Sequence, residues 1–123
     1  MKSNAIGWFE IYVQDMERAR KYYEAVLARK LEKLEAGGLD MWSFSGDMEA
    51  PGSAGALVHM PGFPSGGNST LVYFACEDCA TEEGRVKAAG GKIEKSKFSI
   101  GPYGFISLVY DTEGNMFGLH SMK

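Results

Sequence analysis

Apolar and polar residues alternate twice along this chain in the same way, and each alternation runs into an aspartate followed by an amphipathic helix. The first run is Trp8-Phe9-Glu10-Ile11-Tyr12-Val13-Gln14-Asp15, and the second is Leu71-Val72-Tyr73-Phe74-Ala75-Cys76-Glu77-Asp78. A period of two predicts a strand, and Asp at its end is a preferred helix N-cap. From Met16 to Ala28 the period changes: Ala19, Tyr22, Tyr23, Val26 and Leu27 fall at helical spacing, with Glu17, Arg18, Arg20, Lys21 and Glu24 on the outer face. A second helix is predicted from Cys79 to about Ala89, stopped by Gly90-Gly91. It is the weaker one, since Gly84 inside it costs about 1 kcal/mol relative to Ala.

The remaining apolar stretches complete two matching halves. The first holds strands predicted over Ile6–Val13, Leu31–Leu34, Leu39–Phe44 and Gly55–Met60, with a loop over Ser45–Ser53. In the second they fall at Thr70–Cys76, Lys92–Lys95, Phe105–Tyr110 and Asn115–His120, with Asp111-Thr112-Glu113-Gly114 as the last tight turn. The fold class is therefore α+β: two tandem βαβββ modules, residues 5–60 and 69–122, joined by a linker over 61–68. Neither half is large enough to bury a full core, so the pair is expected to pack as one domain spanning 1–123. A ligand site is expected between the copies.

Alternation assigns side chains to faces. Phe9, Ile11 and Val13 suit packing under the first helix, and Val72, Phe74 and Cys76 under the second. Trp8, Glu10 and Tyr12 lie opposite, as do Leu71, Tyr73 and Ala75, and, on the last strand, Met116, Gly118 and His120. This mixture of aromatic, polar and small residues suits a cavity with a few polar groups better than a wet sheet face. Glu10 is its candidate catalytic residue: enclosed between Trp8 and Tyr12, its pKa would rise and it could serve as a general base. The plainer reading is a carboxylate held by a Tyr hydroxyl or a backbone amide. Trp8, Trp42 and Tyr73 could form stacking walls for a flat ligand, or simply fill core. Met41, Met60 and Met116 could adapt a pocket to varied apolar ligands, or pack.

Composition narrows the classes. The chain has 123 residues, 45% hydrophobic and 24% charged, with net charge −3. An acidic balance argues against a nucleic-acid partner. No apolar segment suits a signal peptide or a membrane span, so a cytoplasmic location is the expectation. The two cysteines, Cys76 and Cys79, are too few for a disulfide framework. Their C-x-x-C spacing offers a redox reading, but Glu77 and Asp78 between them oppose thiolate formation, and two partly buried thiols is the plainer one.

Two stretches, Glu10-Ile11-Tyr12-Val13-Gln14-Asp15-Met16-Glu17-Arg18-Ala19 with Tyr22-Tyr23, and Asp111-Thr112-Glu113-Gly114-Asn115-Met116-Phe117-Gly118-Leu119-His120, resemble the vicinal oxygen chelate superfamily of glyoxalase, bleomycin-resistance and extradiol dioxygenase proteins. The likeness runs from Ile6 to His120 and is greatest to small single-domain proteins related to lactoylglutathione lyase. It implies one domain with curved mixed sheets around a cleft, bordered by a loop such as the one holding Tyr103. It also implies a homodimer. Metal-using members carry His, Gln or Glu on each module's first strand and Glu on the last strands. Those positions fall here on Trp8, Leu71 and Gly118, with the last-strand position of the first module near Leu57 to His59. None of the three can ligate, so the inherited metal site reads as lost and no cofactor is expected. A rebuilt divalent-metal site would have to use Glu10, His59 and His120. Two functions compete for a small-molecule ligand bound by Trp8, Tyr12, Trp42, Leu71, Tyr73 and Tyr103. One is a lyase or isomerase acting next to a carbonyl, with Glu10 as base. The other is a non-catalytic binder that sequesters a drug or metabolite, of the bleomycin-resistance type.

Overall fold

The computed structural model describes residues 4–47 and 49–123. Its elements are β1 (Trp8–Tyr12), α1 (Met16–Leu27), β2 (Leu31–Ala36), β3 (Leu39–Phe44), β4 (Ala54–His59), β5 (Tyr73–Ala75), α2 (Cys79–Val86), β6 (Lys92–Ser99), β7 (Phe105–Tyr110) and β8 (Met116–Ser121), with a 3-10 turn at Gly101–Tyr103. They form two four-stranded mixed sheets, ordered β1-β4-β3-β2 and β5-β8-β7-β6. In each, the first strand lies parallel to the last and the other pairings are antiparallel. This is an α+β fold of two βαβββ modules.

Local chemistry sets both helix starts. The Asp15 carboxylate accepts from the Arg18 amide, and that of Asp78 from the Ala80 amide. Helix α1 buries Met16, Ala19, Tyr22, Tyr23 and Val26, the face its periodicity predicts, with Met16 added and Leu27 half-buried. Helix α2 ends at Val86, three residues earlier than expected, and the Gly91 amide closes it by donating to the Val86 carbonyl at 2.9 Å. Strand β5 is only three residues long, but Gly118 N–H to Val72 O and Cys76 N–H to His120 O extend its pairing on either side. Strand β6 runs four residues beyond its expected end. Two register shifts against β7 break its alternation, so Ser96–Ser99 does not read as a strand.

The main core crosses the module boundary. Helix α1 belongs to the first half, yet Tyr23 packs on Phe117 at 5.2 Å and on Phe74 at 5.9 Å as well as on Phe44 at 5.6 Å. Its neighbour Tyr22 donates to the Tyr110 carbonyl, and Tyr23 donates to Asp111 at 2.7 Å. From α2, Arg85 donates to the Val26 carbonyl at the end of α1. Burying side chains of this size contributes about 2 kcal/mol each, so the two modules are held by one shared apolar interior.

A polar clasp adds to it. Glu113, its side chain fully enclosed, accepts from the Gln14 and Asp15 amides at 3.0 Å and from the Arg18 guanidinium at 2.7 and 2.9 Å. Burial alone would raise its pKa, but Arg18, the Asp15 amide, the Thr112 hydroxyl and the Gln14 amide outweigh burial and hold the carboxyl down at about 2. Asn115 reaches the same place, donating to the Tyr12 carbonyl and accepting from the Gly66 amide.

Candidate functional site

Strands β1 and β5 are each the outer strand of their sheet, and Phe9 and Phe74 bring them together at a seam between the modules. Two cavities open there. One, about 340 Å³, joins Glu10 and Tyr12 on β1 to Asn68, Thr70, Asn115 and Met116. The other, about 640 Å³, joins Ile6 and Gly7 ahead of β1 to Tyr73, Phe74 and Glu77 at the far end of β5. The end of β1 thus faces the start of β5 and the reverse, so the two strands run in opposite directions along the seam. Phe9 meets Phe74 across it, edge to face at 6.0 Å, and divides what the alternation suggested as one hollow into two.

The smaller cavity carries the most organised polar group. Trp8, Glu10 and Tyr12 project from the same face of β1, as expected. The Glu10 carboxylate accepts from Trp8 Nε1 at 3.2 Å and from the Tyr12 hydroxyl at 2.9 Å, one donor on each oxygen. That hydrogen bond to Glu10, then burial, raises the Tyr12 pKa. The linker fixes Tyr12 further: Phe63 stacks on its ring at 5.1 Å and 25°, Ser65 donates to its carbonyl at 2.6 Å, and Gln14 holds both Phe63 and Ser65. Beneath it Met41, Ala56 and Val58 form a buried apolar floor with Leu34, Leu39 and Met60. The alternation missed Phe63; its only signal is an aromatic residue set between Pro61 and Pro64.

Several expected positions are corrected. Glu10 is exposed, not enclosed, because β1 is an outer strand with an open side. Trp42 is not a wall of the site: it pairs with Leu57 on the helix side of its sheet, where Arg20 of α1 lies 4.4 Å from its ring. Trp8, 40% exposed, contacts the site through Glu10 and lines neither cavity, nor does half-buried Leu71. Tyr73 borders the larger cavity, and Tyr103, 72% exposed, borders neither but offers its carbonyl to His120 Nε2 at 2.7 Å.

Register fixes the positions to which the family resemblance pointed for metal ligands. Aligning the two caps, Asp15 with Asp78, makes Glu10 the counterpart of Tyr73, and their β4 and β8 partners are Ala56 and Gly118. The last-strand position of the first module is therefore Ala56, just outside the expected Leu57 to His59. Trp8, Leu71, Ala56 and Gly118 supply no metal donor. A Cβ on Gly118 would also clash with the Tyr73 ring. The alternative set does not converge either: His59 shares the helix-side face with Leu57, opposite Glu10, and His120 is turned to Tyr103. Among the described residues no three His, Cys, Asp or Glu side chains gather. A divalent ion does not fit these residues.

The C-x-x-C pair is closed to easy thiolate chemistry. Cys79 is fully buried, and burial first, then the Glu82 carboxylate, pushes the Cys76 thiol up to about 12. Among the described residues no helix is long and apolar enough to cross a membrane.

Residues 5–119 match the sequence model of the glyoxalase/bleomycin resistance protein/dioxygenase superfamily. No curated protein sequence matches the chain. Solved structures share the fold: a hypothetical protein, SA1046, from S. aureus is 15% identical with TM-score 0.74, covering 97% of this chain and 95% of its own. Glyoxalase I from Zea mays, as its V278E mutant, is 22% identical with TM-score 0.73 over 94% of this chain, which spans 45% of the maize protein. TnmS3, an antibiotic binding protein from Streptomyces sp. CB03234, is 20% identical with TM-score 0.69, covering 100% of this chain and 99% of its own.

Proposed function

Because the chain belongs to the glyoxalase/bleomycin resistance protein/dioxygenase superfamily, we propose that it is a non-catalytic small-molecule binder that holds an aromatic, cationic ligand against Glu10. The observation that carries this reading is the carboxylate fixed between Trp8 Nε1 and the Tyr12 hydroxyl, beside a cavity of about 340 Å³. Trp8 and Tyr12 occupy both oxygens of Glu10, and a fixed acidic group flanked by two rings suits a ligand cation. The absence of donor side chains at Trp8, Leu71, Ala56 and Gly118 supports the same reading, since metal-assisted isomerisation has nothing to hold the ion there. The likeness to an antibiotic binding protein over the whole of both chains points the same way.

The test titrates a panel of cationic aromatic drugs and follows tryptophan fluorescence, with Trp8 as reporter. Saturable binding that weakens about tenfold in Glu10→Gln supports the proposal. A parallel assay follows turnover of the methylglyoxal-glutathione adduct, with and without added nickel or zinc. Turnover abolished by Glu10→Gln in a folded protein would replace the binder with the lyase or isomerase reading. A cytoplasmic homodimer completes the proposal; the exposed apolar side chains of Ile6, Trp8, Tyr73 and Tyr103 support pairing, and sedimentation tests it.

A further inference from the structure

The larger cavity lies at the other end of the seam, beyond the Phe9–Phe74 contact, and the function proposed above does not use it. It holds about 640 Å³, room for a small organic molecule. One wall is aromatic: Phe9, Phe44 and Phe74 border it and touch one another at 5.2 to 6.0 Å. The charged residues around it are Arg29, Asp47, Glu77 and Glu82. That is three acids against one base, and the Arg29 guanidinium is turned to the Ser45 carbonyl. Glu77, on the exposed rim, faces Lys123 at 3.7 Å.

Glu82 differs from the other two acids. It projects from α2, is only partly exposed, and its Oε1 is the one buried side-chain polar atom without a hydrogen-bond partner among the described residues. The neighbouring Cys76 thiol, pushed up partly by the Glu82 carboxylate, is a weak donor to it and brings no positive charge. A buried carboxylate oxygen without a partner beside apolar rings is costly until a donor or a positive charge reaches the group. A neutral ring would fill the apolar wall but leave that charge uncompensated. An inorganic cation would compensate the charge and leave the rings empty.

From this pairing of an aromatic wall with an uncompensated carboxylate, we infer that the larger cavity is a second ligand site, for an arylalkyl ammonium ion, with Glu82 as its counter-ion. The ring of such a ligand lies against Phe44 and Phe74, and its ammonium compensates the Glu82 carboxylate. The site is independent of Glu10, which lines only the smaller cavity.

Benzylamine, charged at neutral pH, is the probe, and benzyl alcohol is its neutral counterpart. Amide chemical shifts of the full chain report where each binds. The expected result is saturable shifts around Phe44, Phe74, Cys76 and Glu82 with benzylamine, about tenfold weaker with benzyl alcohol and in Glu82→Gln. Equal binding of the two probes, shifts confined to Trp8–Tyr12, or no saturable shifts at all would each overturn the inference.

Discussion

Glu113 shows what an enclosed carboxylate does when donors surround it. Arg18, two backbone amides and the Thr112 hydroxyl all point at it, so Glu113→Gln should lower stability by about 2 kcal/mol, read from denaturant unfolding at neutral pH. The pH dependence has a fixed sign. The folded carboxyl titrates at about 2 against an ordinary 4.5, so its contribution is whole above about pH 4.5 and lost as pH falls toward 2. The stability gap between wild type and Glu113→Gln should therefore close across that window. Cys76 gives the opposite case: with its thiol pushed up to about 12, alkylation should stay slow at neutral pH and climb only in strong alkali. At this scale the sequence was legible wherever the cause is local. Asp15 and Asp78 read as caps because the bond each makes lies within three residues. Trp42 was not legible, because the face it takes depends on its register against Leu57, which alternation along β3 alone does not supply.

Among the elements, the pairing of β5 with β8 is the tightest constraint. Gly118 sits opposite Tyr73, whose ring covers it on the same face, and in the first module the Phe9 ring covers Gly55 in the same way. Gly118→Ala should therefore cost about 1–3 kcal/mol through overpacking, and Tyr73→Ala should recover most of that loss in a double-mutant cycle read by thermal unfolding. Alternation showed which strand face holds these residues, but it could not reveal that one ring fills the space of the residue opposite. The same gap explains β6, whose two bulges interrupt the period and hide half of its length. Helix α2 is short and carries Gly84, so it leans on its cap: Asp78→Ala removes the bonds to the Ala80 amide and to Lys97 and should cost about 1 kcal/mol, seen as a lower unfolding midpoint.

The whole molecule depends on a core that neither module owns. Tyr22 and Tyr23 complete the interior of the second half, and the turn of the second half closes on the start of α1. Heat should therefore unfold the chain in one transition by circular dichroism and fluorescence alike, and a fragment of residues 1–67 should give no folded spectrum alone. The duplication was legible from the repeated strand, aspartate and helix, since each unit shows the same local period. The division of the seam was not, because Phe9 and Phe74 lie far apart in the chain and meet only once the modules dock. The ring seated over Gly118 also bears on the history open to this protein. A carboxylate can enter that position only where the tyrosine ring has made way, because the two would fill the same space. Placing a donor side chain there thus takes two coupled changes rather than one, and a single mutational step meets the ring first.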